Sequence, residues 1–167
     1  METSRLDLLR RQNLGAARRA RMQQDLLRIG IPDQHTIFLP LEESDRVRQI
    51  ASESFEARNK KTSGVIERQL PLAKKGGLTD IIPPSSGDVY VIPSAAEIVG
   101  VLKLPANILN AKWTHLVELN PDGFVVINSE CNLKIVVQVI DDSGSGEEEL
   151  DIAAWGDLWC QHLKQLK

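Results

Sequence analysis

The sequence has few cysteines, few histidines and few aromatic residues. It contains 2 cysteines and 3 histidines among 167 residues, and aromatic residues make up 4%. Two cysteines are too few for a disulfide scaffold, so we expect Cys131 and Cys160 to be reduced packing residues. His35, His115 and His162 lack zinc-ligand spacing, and Cys160 with His162 supplies only half of a four-coordinate structural zinc site. We therefore predict neither a metal nor a cofactor.

Long apolar runs are also missing. The longest aliphatic or aromatic run has four residues, as in Phe124–Ile127, whereas a membrane-spanning helix needs roughly 20. The first twelve residues mix acids and arginines and lack the apolar segment of a secretory signal. These absences predict a cytoplasmic protein without a membrane partner.

Recognisable catalytic motifs are absent as well. The sequence has neither a glycine-rich phosphate-binding motif nor a metalloprotease helix motif. The stretch from Asp141 to Ser145, DDSGS, resembles the Mg²⁺-binding loop of von Willebrand factor A-type domains. In that family the loop follows the first strand, whereas only 22 residues follow Ser145 here, and serine with glycine equally suits a hairpin loop. We predict a non-enzymatic protein, with an enzyme built on Cys131 or Cys160 and a histidine as the alternative.

Charge is distributed unevenly along the chain, although the net charge is only −3. Residues 1–75 carry 15 Lys or Arg against 10 Asp or Glu, and residues 76–167 carry 5 against 13. The length fits one domain. We predict a single domain spanning 1–167, with a basic helical half and an acidic sheet-containing half that meet at the turn near 83–88. The two charged halves serve different partners or neutralise each other.

Apolar patterning predicts an α+β fold with an antiparallel C-terminal meander, helices packed mainly on one face and a long N-terminal helix. The first helix is predicted at 3–29, capped by Thr3 or Ser4, and the second at 44–59, opening at Ser44. A third is predicted at 95–102, with Ser94 and Glu97 as a capping box, and a fourth begins at Pro105. A last helix is predicted at the C-terminus, with a docking face formed by Trp155, Leu158, Trp159, His162 and Leu166. The meander strands are predicted at 124–128, 133–141 and 148–153. Residues 60–77 are predicted to hold a short broken helix in a connector.

Six carboxylates cluster around the predicted last hairpin. They are Asp141, Asp142, Glu147, Glu148, Glu149 and Asp151. Because alternate strand residues share a face, we expect Glu147, Glu149 and Asp151 to line one exposed face. Carboxylates on a rigid sheet attract a basic protein partner. The alternative is an ordinary solvent-exposed hairpin loop.

The predicted N-terminal helix is rich in arginine. The candidate nucleic-acid-binding residues are Arg10, Arg11, Arg18, Arg19 and Arg21. Arginines on one helix neutralise phosphates without reading sequence. The helix has no aromatic residue for stacking on bases, which favours a solvent-exposed face or one paired with the acidic half.

The second half contains a family-like pattern. The stretch Glu97-x-x-Gly100-x-x-x-Leu104-Pro105, followed by Trp113 and then by Asn120 to Gly123, loosely resembles the E-x-x-x-G-x-x-L-P … N-G pattern of SUKH-type proteins. The ending GDLWCQHLKQL resembles the closing amphipathic helix of that family. Many SUKH-type proteins are bacterial immunity proteins that bind and block a co-encoded toxin. The resemblance implies a toxin-neutralising protein-binding protein, with nucleases among the candidate toxins. A nucleic-acid-binding or regulatory protein that uses the arginine-rich helix is the alternative.

Overall fold

The computed structural model describes residues 4–59, 65–141 and 148–166. Its helices are α1 (Arg5–Arg28), α2 (Leu41–Asn59), α3 (Ala96–Val99), α4 (Ala106–Leu119) and α5 (Asp157–Gln165). Its strands are β1 (Ile37–Phe38), β2 (Val65–Pro71), β3 (Asp88–Pro93), β4 (Leu102–Pro105), β5 (Phe124–Asn128), β6 (Lys134–Asp141) and β7 (Glu148–Trp155). The predicted α+β fold with a long N-terminal helix is confirmed.

The described strands form one seven-stranded antiparallel sheet in the order β1-β4-β3-β5-β6-β7-β2. Strands β5, β6 and β7 pair with their sequence neighbours and make the predicted meander. Both edge strands come from the first 75 residues, because β1 pairs with β4 and β2 pairs with β7. The basic half therefore completes a sheet whose central strands belong to the acidic half.

Alternation along the strands directs one set of side chains into the main core. Val126, Ile135 and Ala154 are successive cross-strand neighbours from β5, β6 and β7, and each is 0% exposed. Helices α4 and α5 lie in the same core through Trp113 and Trp159, which are also inaccessible to solvent. Fully burying an aliphatic side chain stabilises the fold by about 1.5–3 kcal/mol, so this face dominates stability.

A smaller core lies on the other face of the sheet. Val47 and Ala51 of α2 pack there with Val101 and Ile127. Ile127 belongs to β5 and has the opposite parity to Val126, so it points away from the main core. Helix α2 thus covers the β4-β3-β5 part of the second face.

Helix α1 packs across the short helix α3. It begins at the predicted cap, since the Ser4 Oγ accepts a hydrogen bond from the Asp7 amide at 3.2 Å. An ideal Cβ placed on Gly15 would lie 2.2 Å from the Ile98 carbonyl oxygen. Glycine at this position therefore sets the distance between the two helices.

Two predictions in the first half need correction. Residues 65–71 form the edge strand β2, because β7 supplies the hydrogen-bonding partners that no local pattern reveals. The short helix predicted in this connector is confined to a 3-10 helix at Leu72–Gly77. Helix α2 begins at Leu41 and not at Ser44. Ser44 is fully buried inside the first turns, where its Oγ accepts from the Val101 amide at 2.9 Å instead of capping the helix.

Two predictions in the second half also need correction. The helix predicted at 95–102 is only Ala96–Val99, because Gly100 turns the chain with φ of 91°. The predicted capping box of Ser94 and Glu97 does not form, since Ala95 is the N-cap residue and no side chain caps the helix. Trp155 ends β7 and does not belong to the terminal helix. Leu158 is 54% exposed, whereas the predicted Trp159 and Leu166 do pack against the main core, together with Cys160 and Leu163. Gly156, with φ of 90°, breaks the strand and shifts the helical face.

Candidate functional site

Two of the predicted acidic residues share one face of β7. Successive side chains of a strand point to opposite faces of the sheet. Leu150 and Ile152 are buried in the main core, so the carboxylates of Glu149 and Asp151 point to the second face. Both side chains are half-buried. Glu149 and Asp151 therefore share one face as expected, but both are half-buried and not exposed, and Glu147 lies outside the described residues.

The other acidic candidates do not join this pair. Glu148 is exposed, but it lies on the same side of β7 as Leu150 and Ile152, which face the main core. Asp141 ends β6 opposite Glu148 in the strand register. Asp142 also lies outside the described residues.

A third carboxylate joins the face from β2. Glu67 is exposed and pairs across the strands with Ala153, which makes Asp151 its diagonal neighbour. Diagonal neighbours on one sheet face lie about 7–8 Å apart. Sequence reasoning missed Glu67 because residues 65–71 read as a connector. The letters VIERQL do not alternate between apolar and polar residues, so no local period indicates this strand.

These acids lie among polar and apolar side chains on the outer three strands. Gln69 and Gln138 flank Asp151 in the register, and Ile140 lies opposite Glu149. Ile140 is 37% exposed, so solvent reaches this part of the sheet. We name this surface the open face and define it by Glu67, Gln69, Gln138, Ile140, Glu149 and Asp151.

One carboxylate oxygen on the open face is buried. The Oδ1 atom of Asp151 is inaccessible to solvent and accepts no hydrogen bond from the described residues. A buried acceptor without a donor costs about 1–3 kcal/mol.

A cation lies at the other end of the same face. The Lys134 Nζ is 4.8 Å from the centre of the Trp155 ring, its cross-strand neighbour, and burial lowers the pKa of this lysine. A cation over an aromatic face is stabilised by the ring electrons. Charge on the second face therefore changes sign along the strands.

The arginines of α1 divide into two groups. Arg11 binds Asp45, with Nη1 2.6 Å from Oδ2, and Arg19 donates from Nε to the Val99 carbonyl at 2.8 Å. Arg10, Arg18 and Arg21 are exposed. Arg11 and Arg19 are therefore structural residues, and the predicted nucleic-acid surface is reduced to three of its five members.

Arg19 occupies a junction of three segments. Its Nη2 donates to the Leu39 carbonyl at 3.2 Å, and its guanidinium carbon lies 5.5 Å from the centre of the Phe38 ring. Desolvation lowers the pKa of Arg19. Such a group links α1 to β1 and to the end of α3 and is not free to bind phosphate.

The cysteines lack the environment of an activated nucleophile. The Cys160 Sγ donates to the Ala154 carbonyl at 3.1 Å, and burial raises the pKa of both Cys131 and Cys160. A nucleophilic cysteine needs its pKa lowered. The ring Nε2 of His162 lies 2.7 Å from the Asp80 carbonyl oxygen, so a backbone group engages it. These contacts favour packing roles.

The described part of the chain offers little else for chemistry. No group of three or more His, Cys, Asp or Glu side chains within it is placed to hold a metal ion. The DDSGS stretch extends beyond Asp141 into undescribed residues, so its resemblance to a Mg²⁺-binding loop is not tested by the structure. Among the described helices, none has the length and hydropathy needed to cross a bilayer.

The residues of the SUKH-like pattern have structural roles. Gly100 and Gly123 have φ values of 91° and 88°, a region that favours glycine, and Trp113 is 1% exposed. The Asn120 side chain donates to the Leu116 carbonyl at 2.8 Å and ends α4. The pattern therefore describes turns and core positions and identifies no binding residue. Comparison with family models, with curated proteins and with solved structures found no match for this chain.

Proposed function

We propose that this protein is a non-catalytic protein-binding module whose open face captures a basic protein partner. The observation that carries the proposal is the convergence of Glu67, Glu149 and Asp151 on one solvent-accessible face of a rigid sheet. Fixed carboxylates lose little conformational entropy when a cation binds, and they speed association through long-range attraction.

The composition of the open face suits a protein better than a small ligand. The amides of Gln69 and Gln138 can donate and accept hydrogen bonds, and Ile140 adds exposed apolar area. Protein interfaces combine an apolar centre with polar groups that are paired on binding. An arginine of the partner would match the paired geometry of an exposed carboxylate such as Glu67.

We further propose that the partner is a bacterial toxin and that this protein is its cytoplasmic immunity protein. Two observations support this reading: the SUKH-like pattern of the second half and the acidic open face. Toxins that cleave nucleic acids present basic surfaces to phosphates. An acidic face that covers such a surface would block substrate by direct competition.

The decisive experiment pairs this protein with the product of the neighbouring gene. The two are co-expressed, purified together and titrated at low and high salt, and toxicity is scored in cells with and without this protein. We expect protection and a tight complex whose association rate falls as salt rises, because ions screen exposed charges beyond about 10 Å at 0.1 M.

The double variant Glu149→Lys/Asp151→Lys tests the surface. It should weaken the complex by about 100-fold or more, since several kcal/mol separate attraction from like-charge repulsion. Glu42→Lys/Glu43→Lys is the matched control, because both glutamates are exposed in the first turn of α2. Unchanged binding by the open-face variant, or equal loss in the control, would overturn the surface. No complex and no protection would overturn the immunity function.

A second candidate function rests on the exposed arginines of α1. No described carboxylate forms an ion pair with Arg10 or Arg18, so these two can reach phosphates. If the protein binds nucleic acid through these arginines, a polyanion column should retain it at low salt. The double variant Arg10→Ala/Arg18→Ala should then elute at a lower salt concentration than the parent. Passage of the parent protein through that column at low salt would eliminate this candidate.

A further inference from the structure

Strand β2 leaves one long side of the sheet open. It runs for seven residues and pairs only with β7 among the described strands. The opposite edge strand, β1, has two residues. A long edge strand presents unpaired backbone N–H and C=O groups that can pair with another chain.

Burial of the core-facing side chains is incomplete at this edge. Ile66 and Leu70 point to the main core but are only partly buried, whereas their cross-strand neighbours Ala154 and Leu150 are 0% exposed. Between them, Arg68 donates from Nη1 to the Leu166 carbonyl at the end of α5. One further strand with apolar side chains beside Ile66 and Leu70 would complete the burial.

The other side of the same strand carries one acid, Glu67, and the neighbouring strand β7 adds two more carboxylates. Glu67 is exposed on the open face beside Asp151, and Glu149 follows along β7. Side chains of an added strand alternate between the two faces. On the open face they would meet carboxylates, and on the core side they would meet Ile66 and Leu70.

We infer that β2 accepts an extended segment of the partner, with alternating basic and apolar residues, as an eighth strand of the sheet. This inference rests on the proposed function and specifies how the partner docks. Main-chain hydrogen bonds supply affinity in strand addition, and alternate side chains supply specificity. Lysine or arginine would lie beside Glu67, with Glu149 and Asp151 one strand further in, while aliphatic residues would extend the main core.

The test uses a defined peptide, so that it does not depend on the natural partner. The probe is a blocked seven-residue peptide of alternating lysine and valine. One control has the same composition with its lysines grouped together, and the other carries a methyl group on every backbone nitrogen. Binding is measured by fluorescence anisotropy, and amide hydrogen exchange of the protein is followed with and without peptide.

If β2 accepts an added strand, the alternating peptide should bind the protein at least about tenfold more tightly than either control peptide. Exchange should slow at residues 65–71. Glu67→Lys should weaken binding by about tenfold, whereas Glu43→Lys, an equal change of charge in the first turn of α2, should change it by less than about twofold.

Three results would overturn the inference: no binding of the alternating peptide, equal binding of the grouped or methylated peptide, or unchanged exchange at 65–71. Equal binding would mean that only charge attracts the peptide. None of these results decides the proposed function, which depends on the complex with the neighbouring gene product and on its sensitivity to Glu149 and Asp151.

Discussion

Arg11 and Asp45 form a two-point ion pair that ties α1 to α2. The Nη1 and Nη2 atoms of Arg11 lie 2.6 Å and 2.8 Å from the two carboxylate oxygens of Asp45. The Nε atom donates to the Glu97 carbonyl oxygen at 2.7 Å, just inside α3. All three nitrogens of one guanidinium are therefore engaged by two other helices, and this arrangement orients α1 on the domain.

Replacing Arg11 should destabilise the protein according to the hydrogen bonds lost. Arg11→Ala removes all three and is expected to cost about 2–3 kcal/mol, because bonds to charged groups contribute about 1.5–3 kcal/mol each but are not additive. Arg11→Lys retains the charge without the planar fork and should cost about half as much. Urea unfolding measures both. The exposed neighbour Arg10→Ala should stay within about 0.5 kcal/mol of the parent, and an equal loss there would refute the assignment.

The same ion pair should make stability depend on acid. The hydrogen bond from Arg11 holds the pKa of Asp45 below its ordinary value of 3.8. The stabilisation is therefore fully present above that value and is lost as the pH falls through the lower pKa of the folded state. In thermal melts, Asp45→Asn should be less stable than the parent near neutral pH, and the difference should shrink towards about pH 2. A difference that does not change with pH would show that the carboxylate charge plays no part.

Gly15 should tolerate alanine poorly despite its helical position. Glycine to alanine inside a helix ordinarily stabilises by about 1 kcal/mol. Here the added Cβ would lie 2.2 Å from the Ile98 carbonyl oxygen and 2.8 Å from the Ile98 Cγ2, so α1 and α3 must separate. We expect Gly15→Ala to destabilise by about 1–3 kcal/mol, the usual cost of overpacking. Denaturant titration decides the sign. A more stable variant would mean that the helices are not in close contact.

The two tryptophans around Gly156 should differ in their effect on folding. Trp159 is 0% exposed in the main core, and its Nε1 donates to the Ser86 Oγ at 3.3 Å. Trp159→Ala should cost about 3–5 kcal/mol, as is usual for a truncated core aromatic. Trp155 is half-buried on the second face, so Trp155→Ala should cost less. Equal losses in calorimetric melts would contradict the assignment of Trp155 to the end of β7.

The candidate site could be predicted only in part, and the residues show why. Glu149 and Asp151 followed from strand alternation, since period two alone places them on one face. Glu67 did not, because its strand pairs with β7 across more than 80 residues of sequence. Likewise, seven arginines of α1 look alike as sequence, and only the contacts with Asp45, Leu39 and Val99 identify two of them as structural.

The sequence by itself determined the elements whose signals are local. Helix α1 is bounded by the Ser4 cap and Gly30, and the hairpin of β5 and β6 follows from runs of β-branched residues separated by a turn. Tertiary structure decided the sheet edges, the start of α2 and the open face. Each of these depends on hydrogen bonds or burial between segments far apart in sequence, where a residue such as Ser44 or Glu67 takes its role from a partner that local propensity cannot specify.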